Sequence, residues 1–260
     1  MDVDPPLRRI VLLGASNLAL TFPAIVETAH RAWGAPLEFF VAMGFGRSFG
    51  SESGCFGKKN TNIFSADFCS AIESAQRLAT SAIVADVGND LAYGATPEEV
   101  VGWVDEVLVR LTAQGARTAL ANVPIASLRG LGEVRYRIMK SVLFPRCDLS
   151  RDEMLRRAEA LFAGLAATAE RRKVPVFTGE NAWYGVDPIH PRRSCAALPW
   201  RQLLAATADE GEVVSVERVS WRRSVELRRL AARPTQRASS HRGKEDRVIR
   251  DRRGSFFRFF

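Results

Sequence analysis

The sequence predicts an α/β protein whose five-stranded parallel sheet is covered by helices on both faces. Three observations carry this reading. Short apolar runs alternate five times with longer, helix-patterned segments along residues 9–208. The connections between runs are too long for hairpins, so the strands are joined by crossovers and run parallel. The runs are continuously apolar instead of alternating, as in strands buried on both faces.

The elements follow in order. Residues 9–14 (RIVLLG) form the first strand, ended by glycine, and a helix follows over about 17–33 with Pro23 near its first turns. Residues 37–43 (LEFFVAM) form the second strand, broken at Gly44. A loop rich in Gly, Ser and Asn runs to about residue 62, and a helix covers roughly 64–78. Residues 82–87 (AIVADV) form the third strand. Thr96, Pro97 and Glu99 then make a capping box with proline at the first helical position, ahead of Val100, Val104, Val107 and Leu111. Residues 118–123 form the fourth strand, stopped by Pro124, and 125–149 is less regular. Ser150 and Glu153 open another capped helix, with an apolar stripe at Leu155, Ala158, Phe162, Leu165 and Ala169 and a basic end at 171–173 that suits the helix dipole. Residues 174–178 form the fifth strand, and a last helix covers about 193–208.

Composition sets the outer limits. The chain has 260 residues, 47% hydrophobic and 25% charged, the balance of an ordinary globular protein. No apolar run approaches the ~18–20 residues of a membrane span. The start, MDVDPPLRRIVLLGASN, lacks the pattern of a signal peptide. Cys55, Cys69, Cys147 and Cys195 have neither zinc nor disulfide spacing, so a cytoplasmic protein with reduced thiols is expected. The net charge of +8 is unevenly placed. Residues 217–260 hold 14 Lys and Arg against 5 Asp and Glu, a net +9, which leaves 23 against 24, a net −1, on the other 216 residues. A neutral body offers no electrostatic footprint for nucleic acid. Residues 1–208 are therefore read as the folded domain and 209–260 as a basic, mobile extension.

Ligands bind parallel sheets outside the carboxyl ends of the strands. Four loops there carry groups that acyl transfer needs. Ser16 follows the first strand; a serine there also reads as a helix N-cap, and as a nucleophile it needs an adjacent base. His190 is the candidate base, because His30 falls in a helix and His241 in the tail, although D-x-x-H spacing also occurs in ordinary loops. Asp187, three residues earlier and followed by Pro188, is placed to fix the imidazole tautomer. The N–H groups of Ser16 and Gly46 and the Asn89 amide supply neutral donors for an oxyanion hole. Phe45, Phe49, Tyr93, Trp183 and Tyr184 are candidate substrate walls, and Arg47 is a candidate anchor for an anionic group on the alcohol side.

The conjunction of these loops, in this chain order, resembles the SGNH (GDSL-like) hydrolase superfamily. Its four motif blocks fall on G-A-S-N at Ser16, G-R-S at Gly46, V-G-N-D at Asn89 and D-P-I-H at Asp187 and His190. The first block lacks the usual acidic residue before the serine, and Val87 stands where the third block usually has glycine. The resemblance covers about residues 8–208. It implies a flavodoxin-like three-layer fold and esterase chemistry with no metal or cofactor.

Other function classes fit less well. The spacing of Gly44, Gly46 and Gly50, with Asp67 downstream, resembles a dinucleotide fingerprint, but it follows the second strand and opens no helix. Gly57-Lys58-Lys59-Asn60 lacks the Walker A spacing and its Ser/Thr. A non-catalytic protein whose Arg-rich tail holds RNA or an acidic partner is the main alternative. For the substrate, aromatic walls and the absence of an evident apolar lid point to a small, soluble ester such as an acetylated sugar or metabolite.

Overall fold

The computed structural model describes residues 5–51, 53–55, 58–216, 218–232 and 248–260. Its centre is β1 (Arg9–Leu13), every residue of which is buried. Alternation along this strand divides the core. Val11 and Leu13 point into one apolar layer, Ile10 and Leu12 into the other. The parallel neighbours β2 (Glu38–Ala42) and β5 (Thr80–Val84) repeat the division. An antiparallel ribbon of β3 (Ser53–Cys55) and β4 (Lys58–Asn60) lies between them in sequence. Outward from β5 come β6 (Arg117–Ala121) and the short β7 (Val176–Phe177), both parallel.

Helices cover both faces. α1 (Ser16–Trp33), α8 (Leu198–Ala205) and α9 (Trp221–Ala231) close the Ile10 and Leu12 layer. The other layer is closed by α2 (Ala66–Ser74), α4 (Pro97–Ala113) and α7 (Arg151–Arg172). Thr96 and Glu99 form the expected capping box, and Ser150 accepts from the N–H of Glu153. Three further helices lie near the carboxyl ends of the strands: α3 (Asn89–Ala92), α5 (Ile125–Arg129) and α6 (Glu133–Leu143). None of the described helices is long and apolar enough to cross a membrane.

Two expectations need correction. The sheet has seven strands, in the order β7-β6-β5-β1-β2-β9-β8, and the extra two come from the segment read as mobile. β9 (Phe256–Phe259) runs parallel to β2, and β8 (Ile249–Arg250) pairs antiparallel with β9. Phe257 is fully buried and stacks on Phe39 with centroids 4.6 Å apart; burying such a ring contributes roughly 1.5–3 kcal/mol. Arginines of this segment are used internally. Arg223 bonds Glu27 at 2.8 Å and Asp251 at 2.5 Å, and Arg253 reaches Glu27 at 2.8 Å. Residues 218–232 and 248–260 thus belong to the folded body. The stretch 233–247, with His241, and Gly57 lie outside the described residues.

Candidate active site

The site forms where β1, β5 and the loop after β7 meet. Ser16 is the first residue of α1, not its cap; the preceding Ala15 offers no capping side chain. Asp86 takes that role from the neighbouring strand end. Its Oδ2 accepts the N–H groups of Ala15 at 2.7 Å and Leu18 at 3.0 Å. Asp86 holds a left-handed backbone, φ 57°, which Asp tolerates better than most residues. With capping done from elsewhere, the Ser16 hydroxyl is free to bond His190 Nε2 at 2.7 Å.

The His190 loop is held on itself and on α1. His190 Nδ1 meets Asp187 Oδ2 at 2.6 Å. Asp187 Oδ1 accepts the N–H groups of Ile189 at 3.0 Å and His190 at 3.1 Å. Asn17 Nδ2 donates to the Ile189 carbonyl at 3.0 Å, joining the loop to the helix that carries Ser16. Burial raises the Asp187 carboxyl, but the hydrogen bond and charge of His190 and the two N–H groups outweigh it and leave it below its ordinary value.

The other side is organised by Asp90. Its carboxylate is buried and bonds Ser48 Oγ, the Phe49 N–H at 2.9 Å and the Gly50 N–H at 3.3 Å, which fixes the loop holding Gly46. Burial pushes the Asp90 carboxyl up against these three donors. Gly46 has φ 64° and Gly88, just before Asn89, has φ 132°, conformations that favour glycine. Asn89 Nδ2 donates one hydrogen to the Arg47 carbonyl at 3.2 Å, which orients the amide. The Ser16 N–H lies in the first turn of α1, where helices leave N–H groups without intrahelical partners.

An apolar cavity of about 210 Å³ is lined by Ser16 and Asn89 and runs across the carboxyl ends of β5 and β6 to the inner face of α6. Of the five aromatic wall candidates, only Tyr184 lines it. Its hydroxyl is pushed up to about 12 by burial and by the charge of Asp86. Phe49 is core, because the bonds to Asp90 turn its loop inward. Trp183 is buried against Phe177 and lies off the cavity. Phe45 is 47% exposed on the loop surface. Tyr93 stands outside the cavity too, donating its hydroxyl to the Gly46 carbonyl at 2.7 Å. Arg47 is no anion anchor. It is 2% exposed and spends its guanidinium on carbonyls, among them Thr61 at 2.9 Å and Phe260 at 2.6 Å. Burial lowers its pKa to about 10. The glycine loop leads into the β3–β4 ribbon, so no helix N-terminus stands there for a pyrophosphate.

Sequence reasoning missed Asp86, Asp90 and the whole of α6. Asp90 was signalled by standing next to Asn89; Asp86 carried no local signal, since it acts on residues about seventy positions away.

No protein-family model matches the chain, and no curated protein matches it in sequence. In three-dimensional structure, solved proteins do match it. An aryl esterase from M. smegmatis, in its inhibitor-bound form, shares 13% identity over 76% of this chain and 97% of its own, with a TM-score of 0.52. A carbohydrate acetylesterase family member from Sinorhizobium meliloti shares 13% identity over 76% and 95%, with a TM-score of 0.50. The fold is that of the SGNH hydrolases, with a seven-stranded sheet.

Proposed function

Proceeding from that fold, we propose that the protein is a serine hydrolase of carboxylic esters, working through an acyl-enzyme on Ser16. The observation that carries this is the unbroken chain from Asp187 through His190 to Ser16, at 2.6 and 2.7 Å, with Ser16 lining an apolar cavity. The His190–Ser16 contact is within reach for proton transfer, and the Asp187–His190 hydrogen bond orients the ring.

In this mechanism Ser16 Oγ bonds to the ester carbonyl carbon while its proton passes to His190 Nε2. The N–H groups of Ser16 and Gly46 and the Asn89 amide hold the oxyanion. The bond to the alcohol oxygen then breaks, and the alcohol leaves with the proton from His190. A water molecule repeats the sequence: its proton goes to His190, its oxygen bonds the acyl carbon, and Ser16 recovers the proton as the acid departs. Asp187 stays ionised throughout and stabilises the imidazolium, consistent with the donors that keep its carboxyl low.

The test is turnover of p-nitrophenyl acetate. Wild type is expected to hydrolyse it, and Ser16→Ala to fall by as much as ~10⁶-fold, as when a nucleophile acting as a unit with its base is removed. Turnover that survives Ser16→Ala would refute the assignment.

A further inference from the structure

Of the catalytic and oxyanion groups, Ser16 and Asn89 line the cavity, and its far end is walled by α6 and α7. α6 is the helix that the sequence left unread. It is tied at both ends to the loops of the site. At its start, Arg135 Nη2 donates to the carbonyls of Gly185 at 2.9 Å and Val186 at 2.6 Å, just before Asp187. At its end, Phe144 packs edge-on against Tyr93, whose hydroxyl bonds the Gly46 carbonyl. The helix therefore bridges the histidine loop and the glycine loop as a roof.

The space beneath it is lined by Val87, Leu131, Met139, Leu143, Met154 and Ala158. Its polar neighbours are satisfied by backbone. Tyr136 donates to the Leu149 carbonyl at 2.7 Å, and Lys140 Nζ donates to the same oxygen at 3.0 Å. Asn122 gives its amide to the Phe162 carbonyl at 3.0 Å and accepts the N–H of Val123 at 2.8 Å. These residues present carbon to the cavity. A sugar ring placed there would bury hydroxyls against mostly carbon surface, and each one left unpaired costs about 1–3 kcal/mol. An alkyl chain would lose only water.

From this we infer that the cavity beneath α6 is an acyl-chain pocket and that the ester carries an unbranched apolar acyl chain of several methylenes. The inference rests on the Ser16 esterase reading. It replaces, as a proposal, the small acylated sugar or metabolite expected from the sequence. The acyl carbonyl sits between Ser16 and Asn89, and the chain runs past Val87 toward Met139 and Leu143. The opposite stripe of α6, with Val134, Ile138 and Val142 exposed, takes no part in the pocket.

The experiment is a series of p-nitrophenyl esters from acetate to hexanoate and octanoate, with a fluorophosphonate probe run alongside. The expected kcat/KM rises by about fourfold per added methylene between acetate and hexanoate, the gain from burying one such group. Met139→Trp and Leu143→Trp fill the pocket, and each should lower the hexanoate-to-acetate ratio at least about tenfold. Val142→Ser, on the outer stripe, should leave that ratio where it is. A flat or falling series overturns the inference, as does a ratio that neither tryptophan moves. If Ser16 is labelled and acetate is turned over while the series stays flat, the pocket alone falls. If wild type is not labelled, the esterase reading falls and takes the pocket with it.

Discussion

The floor of the cavity and its roof use polar groups in opposite ways. Around the catalytic groups, carboxylates fix the donors and the base: Asp86 accepts N–H groups of the helix of Ser16, Asp187 holds the His190 ring, and Asp90 accepts N–H groups of the Gly46 loop. On the roof, Tyr136 and Lys140 turn their polar atoms onto a backbone carbonyl and leave methylene and ring surface facing inward. The floor is built for a charge that appears and disappears, so its donors must be fixed in advance. The roof is built for a substrate group with no charge, so its work is to exclude water. Damage to the floor should therefore slow all esters alike, and damage to the roof should change which ester is preferred.

The sharpest way to break this contrast is at Asn89. Asn89→Ala removes one oxyanion donor and should lower kcat by ~10²–10³ for acetate and hexanoate alike. A loss confined to hexanoate would move Asn89 to the roof's role. Asp86→Ala should act less strongly. Without its two bonds to α1, Ser16 shifts relative to His190, and kcat is expected to fall by about tenfold to 10²-fold, with stability down by about 1 kcal/mol for the lost cap. Turnover and thermal melting measured on one preparation check both effects, and an unchanged kcat would show that α1 holds Ser16 without help.

The smallest effect is expected away from both surfaces, where Glu27 joins α1 to the C-terminal strands. Burial raises its carboxyl, but His30, Arg223 and Arg253 outweigh this and lower it to about 2 from 4.5. A carboxylate held low contributes stability in full above the unfolded value and loses it as pH falls through the folded one. The Tm gap between wild type and Glu27→Gln should therefore narrow from about pH 4.5 toward pH 2. A gap that stays constant through that window would mean the pairing does not anchor β9.

Much of this was legible in the sequence, and the reasons are local. β1, β2, β5 and β6 announce themselves because both faces of each are buried, which leaves unbroken apolar runs. The helices over 97–113 and 151–172 announce themselves through Thr96, Ser150 and their partners three residues on. Ser16, Asp187 and His190 could be brought together because a parallel sheet gathers its carboxyl ends at one edge. The misreadings are non-local or two-sided. β9 is a four-residue strand with an arginine inside, and what makes it a strand is Phe39, more than two hundred residues earlier. α6 has Met139 and Leu143 on one side and Val134, Ile138 and Val142 on the other, so no single stripe marks it, and Gly132 gives no capping side chain. Arg47 looked like a substrate anchor because the carbonyls that occupy it come from three separate segments.

The central claim is that Ser16, activated by His190, is the nucleophile. A fluorophosphonate probe followed by mass mapping of the modified residue tests it most directly, because it reads the nucleophile independently of the substrate. The account predicts that wild type carries the probe on Ser16 and that Ser16→Ala carries none. Labelling that persists in Ser16→Ala, or that maps in wild type to any other residue, would contradict it.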